Sequence, residues 1–272
     1  MGGARARHAD CRVRKTALTS LVGECNRDCS PIEEPRYTFG LEERPCGAGA
    51  PLKEFDPVRI QLALQQLRSV SSTAPIFGAE SHNFVLRPTL VEAEVANFER
   101  QHKISLPSDY RKFLTAVGNG GAGPYGGVFP LGHMDDGFDL KQWHENDGFV
   151  GVLSEPFLLT SDWNDLTGRP ADDLLQSDEA EYWRQLDEFN ERYWHGSLMH
   201  GSLMNGAVPI CHEGCALRIW LVVTGERAGC IWHDGRADYM GLTPLQTSNG
   251  IPATFFLWYT EWLDNALRTA NS

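Results

Sequence analysis

The chain has 272 residues and a formal net charge of −12, and 42% of its residues are hydrophobic. This length suits one large domain or two small ones, and the apolar fraction suits a globular protein with a true core. No apolar run reaches the length of a membrane span, and no stretch has the layout of a secretory signal. We therefore expect a cytoplasmic protein with no membrane-spanning segment.

The negative charge is concentrated in the middle of the chain. Residues 133–194 contain sixteen Asp and Glu against four Lys and Arg, which accounts for a charge of −12. A surface of this kind repels nucleic acid and attracts a basic partner. From charge alone, a solvated acidic face that aids solubility is the simpler interpretation. We expect no binding of nucleic acid and keep a basic protein partner as the alternative to a merely solvated face.

Residues 1–50 differ from the remainder of the chain because they show neither helical nor strand periodicity. Gly, Pro and charged residues are scattered through them, and the stretch from Gly47 to Pro51 has the composition of a linker. We expect a disordered or loosely attached tail, or else an overextended start of translation. The remaining residues, 51–272, are then expected to form a single domain.

Hydrophobic periodicity and capping signals predict five helices after this tail. Asp56 and Pro57 open the first helix as N-cap and first helical residue. Thr89 and Glu92 have the spacing of a capping box at the start of the second helix. Gly118 occupies the position of a left-handed glycine after the third helix. The predicted helices span residues 56–70, 89–103, 108–117, 178–194 and 254–267.

A glycine-rich turn and several apolar runs lie between the helices. Residues 119–127 contain five glycines and one proline, which predicts positive φ angles at several positions. The runs Val128–Leu131, Val208–Cys211, Ala216–Val223 and Gly229–His233 are predicted to be strands. We therefore expect an α+β fold, in which helices flank a mixed, mostly antiparallel sheet.

Two ordered groups of residues carry a family pattern. The first group surrounds the glycine-rich turn and consists of Leu106-Pro107, Asp109-Tyr110, Phe113-Leu114, Asn119-Gly120-Gly121, Gly123-Pro124 and Phe129-Pro130-Leu131. The second group includes Gly214-Cys215, Leu221-Val222-Val223, Gly225, Gly229 and the W-x-D-x-R-x-D segment Trp232–Asp238. Together with the aromatic C-terminal helix, these residues resemble the SUKH superfamily over roughly residues 85–268. That superfamily includes the yeast cell-wall-synthesis regulator of the Smi/Knr type and bacterial toxin-immunity proteins.

The resemblance implies a domain that works by binding other proteins. Bacterial members of the superfamily are widely implicated as immunity proteins that neutralise toxin domains, often nucleases. The eukaryotic member is a regulator that works through protein contacts. On this basis we expect a non-catalytic module that neutralises a basic toxin domain, with a regulatory or scaffold protein as the alternative.

The residues expected to contact a partner come from the acidic middle of the chain and from the glycine-rich turn. Acidic residues beside a large, rigid tryptophan are a common composition of protein interfaces. The tryptophans are equally compatible with the core, because this residue type is often largely buried. The predicted contact residues are Tyr125, Asp135, Asp136, Asp139, Trp143, Asp162, Trp163 and Asp165.

The seven cysteines do not indicate a disulfide framework, because their number is odd and no secretory signal precedes them. Cys211, Cys215, Cys230 and His233 offer the donors of a zinc quartet, but neither cysteine pair has the C-x2-C spacing. A buried cysteine in a strand also behaves as a small hydrophobe. We therefore expect no metal and no cofactor.

Two further features raise the alternative of an enzyme. The glycines of residues 119–127 follow a helix and precede a strand, which is the reverse of the order in phosphate-binding loops. Asp234, Arg236 and Asp238 are candidates for acid–base chemistry, but an ion pair that fixes a turn is the simpler interpretation. A metal-dependent enzyme that uses the Cys/His strands or this cluster is the less favoured alternative.

Overall fold

The structure, a computed structural model, describes residues 55–70, 76–135, 140–143, 150–195 and 201–271. The predicted tail, residues 1–50, lies outside these ranges. Five of the seven α-helices in the described ranges correspond to the predicted ones, and none of the seven combines the length and apolar character needed to cross a membrane. The helices are α1 (Pro57–Val70), α2 (Ala79–His82), α3 (Glu92–His102), α4 (Ser108–Ala116), α5 (Leu174–Ser177), α6 (Glu179–His195) and α7 (Phe255–Ala270).

The strands form two antiparallel sheets, which confirms the predicted α+β fold. They are β1 (His133–Asp135), β2 (Leu140–Gln142), β3 (Ala207–Gly214), β4 (Leu217–Val222), β5 (Ile231–Asp234) and β6 (Leu242–Pro244). β1 pairs with β2, and the other four strands pair in chain order. A parallel bridge joins Phe157 to Gly225 outside these strands. β4 is buried along nearly its whole length, as its apolar sequence predicts.

Side-chain caps start α1 and α7. The Asp56 Oδ1 atom accepts hydrogen bonds from the backbone N–H groups of Val58 and Arg59, at 3.0 and 3.1 Å. The hydroxyl of Thr254 accepts from the N–H of Leu257 at 3.3 Å. Each cap satisfies a donor that has no partner inside the helix, so these polar residues fix where the two helices begin.

The predicted capping box at Thr89 is wrong, because α3 begins three residues later. The backbone N–H of Leu90 donates to the carbonyl oxygen of Leu114 at 2.9 Å, which keeps the chain extended at this point. The N–H of Val91 then donates to Glu94 Oε2 at 2.8 Å. A contact with α4, rather than the local capping signal, therefore sets the start of α3.

The glycine-rich turn packs closely against the chain that precedes α3. Gly118 does not adopt the predicted left-handed conformation, and Val117 before it is right-handed. A Cβ atom at Gly118 would lie 2.9 Å from the carbonyl oxygen of Arg87, so the close approach of two segments requires glycine here. Gly120 and Gly121 do have positive φ angles, of 80° and 96°, as predicted for the turn.

The predicted strand Val128–Leu131 is wrong in its extent. After an isolated bridge at Val128, the N–H of Phe129 donates to the carbonyl oxygen of Ile210 at 2.8 Å. Pro130 has no N–H group, so the pairing does not continue as a ladder. The segment therefore covers part of the outer edge of β3 instead of adding a full strand.

An aromatic cluster joins α4, α7 and the glycine-rich turn. Phe113 is fully buried, and its ring centroid lies 4.9–5.7 Å from those of Phe55, Phe255 and Tyr259. The Tyr259 hydroxyl donates to the carbonyl oxygen of Ala122 at 3.0 Å. Burial raises the pKa of Tyr259, so its hydroxyl stays protonated and remains a donor. The C-terminal helix α7 therefore holds the glycine-rich turn in place.

Replacing Tyr259 with phenylalanine should lower the free energy of unfolding by about 1 kcal/mol, because the buried carbonyl of Ala122 loses its donor. The measurement is urea unfolding followed by tryptophan fluorescence. Tyr110→Phe is the matched control, since Tyr110 is equally buried and its hydroxyl bonds to no other residue that the structure describes. Equal losses in the two variants would contradict a role for this hydrogen bond.

Candidate protein-binding surface

Residues 150–195, hereafter the acidic segment, are fastened to the four-stranded sheet by backbone hydrogen bonds. Trp163 exchanges two such bonds with Leu242 of β6, at 2.8 and 2.7 Å. The N–H of Phe157 donates to the carbonyl oxygen of Thr224, just beyond β4, at 2.9 Å. The irregular first half of the segment is therefore held at two separate places on the sheet.

Helix α6 forms the second half of the acidic segment and docks through aromatic side chains. Phe189 and Tyr193 are buried, and their rings stack with centroids 5.3 Å apart. The Tyr193 hydroxyl donates to the carbonyl oxygen of Arg236 at 3.1 Å, and the Tyr239 hydroxyl donates to Asn190 Oδ1 at 2.8 Å. Burial raises the pKa of Tyr193 to about 12, so its hydroxyl remains a donor at neutral pH.

A buried ion pair lies where α6 meets the sheet. Arg236 donates to both carboxylate oxygens of Asp234, from Nε at 2.8 Å and from Nη2 at 2.7 Å. Trp220 Nε1 donates to Asp234 Oδ2 at 3.2 Å. Burial of Asp234 opposes its ionisation, but the adjacent guanidinium of Arg236 outweighs that effect and holds its pKa below the ordinary value. The carboxylate is therefore ionised at neutral pH.

These contacts confirm that Asp234 and Arg236 form an ion pair that fixes a turn. Both oxygens of Asp234 are occupied and its side chain is only 5% exposed, so it is poorly placed to meet a substrate. His233 Nε2 lies 3.0 Å from Glu213 Oε2, and both side chains are partly buried. Within the part of the chain that the structure describes, no three His, Cys, Asp or Glu side chains are grouped to hold a metal ion.

The acidic segment carries a large excess of negative charge. It contains eleven Asp and Glu against three Arg, which gives −8. Acids of the same segment engage two of the arginines: Arg184 pairs with Glu181 and Glu188, and Arg169 pairs with Asp172. Hydrogen bonds from Arg184 lower the pKa of Glu181 to about 2, so this exposed pair is ionised at neutral pH. Little positive charge is left to offset the other acids.

Five exposed carboxylates of the acidic segment make no hydrogen bond or ion pair with any other described residue. They are Glu155, Asp162, Asp173, Asp187 and Glu191. Each is exposed to solvent, so its charge contributes to a negative potential that extends about one Debye length, ~8 Å, at physiological salt. These carboxylates are open to a basic partner, and an acidic binding surface stays a prediction.

Three of the predicted contact residues lie on this segment. Asp162 is exposed. Asp165 is half-buried and accepts from the N–H of Thr167 at 3.0 Å, and hydrogen bonds from Thr167 lower the pKa of Asp165. Trp163 is half-buried and packs against the core cluster that contains Trp232. The structure brings these three residues together, and their contact with a partner stays a prediction.

The other predicted contact residues lie elsewhere, and their roles also stay predictions. Trp143 is half-buried, and its ring centroid lies 5.6 Å from that of Phe98. Tyr125 is half-buried on the glycine-rich turn, with its ring centroid 6.2 Å from that of Phe77. Asp135 is the last residue of β1. Two further predicted acids lie outside the described residues: Asp136 and Asp139.

Sequence reasoning missed two exposed apolar side chains of the acidic segment. Leu158 is 81% exposed and Val152 is 56% exposed, whereas their neighbours Phe157 and Leu153 are buried. Adjacent side chains of an extended chain point to opposite sides. Two consecutive apolar residues in an irregular stretch therefore indicate that one of the two side chains faces solvent. This was the signal that the sequence offered.

These features define an α+β domain in which a glycine-rich turn and an aromatic C-terminal helix pack around a four-stranded antiparallel sheet. A family model described as the SMI1/KNR4 family (SUKH-1) matches residues 89–244, which is more than half of the chain. The chain belongs to the SMI1/KNR4 family (SUKH-1). This family covers immunity proteins and KNR4-type regulators, and its proteins bind protein partners. No curated protein and no solved structure matches the chain.

Proposed function

We propose that the chain is a non-catalytic binding module whose acidic segment engages a basic protein. Within the family, the role that fits such a surface is that of an immunity protein, which neutralises a basic toxin domain, often a nuclease. The observation that supports the proposal is the set of five exposed carboxylates without described partners: Glu155, Asp162, Asp173, Asp187 and Glu191.

The physical argument rests on charge complementarity and on a fixed support. A negative surface accelerates and orients the encounter with a positive one, and it disfavours acidic competitors. The acidic segment is held by backbone hydrogen bonds at Phe157 and Trp163 and by the buried face of α6. Little ordering is then needed on binding, which preserves more of the interaction free energy as affinity. Arg236 binds both carboxylate oxygens of Asp234, which supports a non-catalytic role for Asp234, Arg236 and Asp238, the candidates for acid–base chemistry.

The first test is an affinity pull-down from the native host at low and moderate salt, with mass spectrometry of the retained proteins. The proposal expects one basic protein with a toxin domain, and its recovery should fall as salt rises because exposed charges are screened. If only cell-wall or signalling proteins are retained, the regulator alternative replaces the immunity role. If nothing specific is retained, the acidic surface is a solvated face.

Reversing two exposed acids of α6, in the variant Asp187→Lys/Glu191→Lys, should weaken binding of the retained protein about tenfold, mainly through a slower association rate. Surface plasmon resonance at several salt concentrations measures both rates, and the salt dependence should become shallower. The control is Glu80→Lys/Asp264→Lys, which changes the net charge equally with exposed acids outside the acidic segment. An equal loss in the control would assign the effect to net charge and not to this surface.

A further inference from the structure

The acidic segment displays two apolar side chains, Val152 and Leu158, hereafter the apolar tip. Leu158 is the most exposed large hydrophobic residue among those that the structure describes, at 81%, and Val152 is 56% exposed. Single exposed leucines are common on soluble proteins. The apolar tip differs from that background because the chain turns between its two members, and because hydrogen bonds fix the backbone at Val152 and at Phe157, directly before Leu158.

Hydrogen bonds hold the backbone at Val152 and at Phe157, directly before Leu158. The N–H of Val152 donates to Asn205 Oδ1 at 2.8 Å, and its carbonyl oxygen accepts from the N–H of Gly206 at 3.1 Å. Directly before Leu158, Phe157 is buried and bonded to Thr224 at 2.9 Å. A Cβ atom at Gly206 would lie 2.7 Å from the Phe157 nitrogen, so the two ends of the turn meet at this glycine. Both apolar side chains are therefore presented from fixed positions.

Negative charge borders the apolar tip. Residues 150–168 contain three acids and no Lys or Arg. Glu155 lies between the two members of the tip and Asp162 follows it, and both are exposed. A partner that covers this stretch of chain therefore meets exposed carboxylates within four residues of Leu158 in the sequence. A second copy of this chain would bring acid against acid at this place, which disfavours self-association.

We propose that the apolar tip is the anchor of the interface. It inserts into an apolar pocket of the basic partner, and Lys and Arg side chains of the partner surround that pocket. This inference rests on the proposed function. It names the residues that supply affinity and the kind of pocket that the partner must have. An interface core is depleted in charge and its rim is polar. Here the tip forms such a core, and Glu155 and Asp162 belong to the rim. Because the backbone is already ordered, burial of Leu158 adds to affinity with a small entropic loss.

The test compares Leu158→Ala with Leu62→Ala, whose leucine is 61% exposed on α1. The probe is the basic protein that the wild-type chain retains from the host, purified after its identification, and the measurement is isothermal titration calorimetry. Leu158→Ala should bind about tenfold more weakly, with an unchanged salt dependence and a less negative heat-capacity change. Leu62→Ala should bind as the wild type does. Circular dichroism checks that both variants are folded.

The remaining outcomes distinguish this inference from the proposed function. If Leu158→Ala binds normally while Asp187→Lys/Glu191→Lys binds weakly, the acidic surface stands and the apolar tip is not the anchor. If the wild-type chain retains no basic protein, the proposed function fails and the inference is overturned with it. If gel filtration shows a dimer of the wild-type chain that Leu158→Ala dissociates, the tip binds a second copy and the inference is likewise overturned.

Discussion

Replacing Arg236 with alanine should lower the free energy of unfolding by about 3–5 kcal/mol, which is a large part of the stability of an ordinary domain. The variant leaves the carboxylate of Asp234 buried without its bidentate partner. It also loosens the turn whose Arg236 carbonyl oxygen accepts the hydrogen bond of the Tyr193 hydroxyl, so the packing of α6 on the sheet is weakened. Urea unfolding at pH 7, followed by circular dichroism, measures the loss.

The pH dependence of this loss identifies its cause. In the wild type, Arg236 holds the pKa of Asp234 below its ordinary value, so the contribution of the pair is present at neutral pH and disappears as pH falls through the folded-state pKa. In the variant, burial raises the pKa of Asp234, so the penalty is largest at neutral pH and fades as pH falls toward about 4. The stability difference between the two proteins should therefore narrow on acidification.

The control for Arg236→Ala is Arg59→Ala. Arg59 and Asp264 form an ion pair at 3.4 Å whose side chains are 74% and 57% exposed, and such pairs contribute below about 1 kcal/mol. A similar loss in both variants, or a difference that does not narrow with falling pH, would contradict the role assigned to the buried pair.

Replacing Phe113 with alanine should also lower the free energy of unfolding by about 3–5 kcal/mol. Its ring is fully buried among Phe55, Phe255 and Tyr259, so truncation leaves a cavity where α4, α7 and the chain before α1 meet. Because the surrounding rings are rigid, the cavity collapses only in part. Thermal and urea unfolding give the loss, with a lower midpoint and a nearly unchanged m-value.

Phe77→Ala is the matched control for this cavity. Phe77 is 58% exposed and meets the ring of Tyr125, so the same truncation should change stability by below about 1 kcal/mol. If the two variants lost the same stability, the cluster around Phe113 would not be the core that joins the terminal helices.

Local sequence patterns were sufficient for most of the secondary structure. The apolar stripe of α6 and the aromatic face of α7 each predicted a helix within a few residues of its observed ends. The W-x-D-x-R spacing places Asp234 and Arg236 two residues apart around a turn, and the structure pairs them there. These features depend on neighbours in the chain, which the sequence displays directly.

The errors arose where a distant segment decides the local conformation. The start of α3 follows from a hydrogen bond between Leu90 and Leu114, which no capping rule contains. Gly118 is needed because the backbone of Arg87 passes within contact distance. In the sequence, a glycine required by such a contact cannot be distinguished from a glycine that ends a helix. The exposure of Leu158 follows from the burial of Phe157 beside Thr224, so composition alone could not show which of the two side chains faces solvent.

The flanks of the four-stranded sheet are occupied by the chain itself. Phe129 bonds to Ile210 on the β3 side, and Trp163 bonds to Leu242 on the β6 side. At these positions no row of backbone donors and acceptors is open to an incoming strand, which protects the sheet against edge-to-edge aggregation. Strand addition is blocked at these positions, so a protein that meets them would contact side chains. Recognition can accordingly change by surface substitution during evolution, while the hydrogen-bonded framework stays constant.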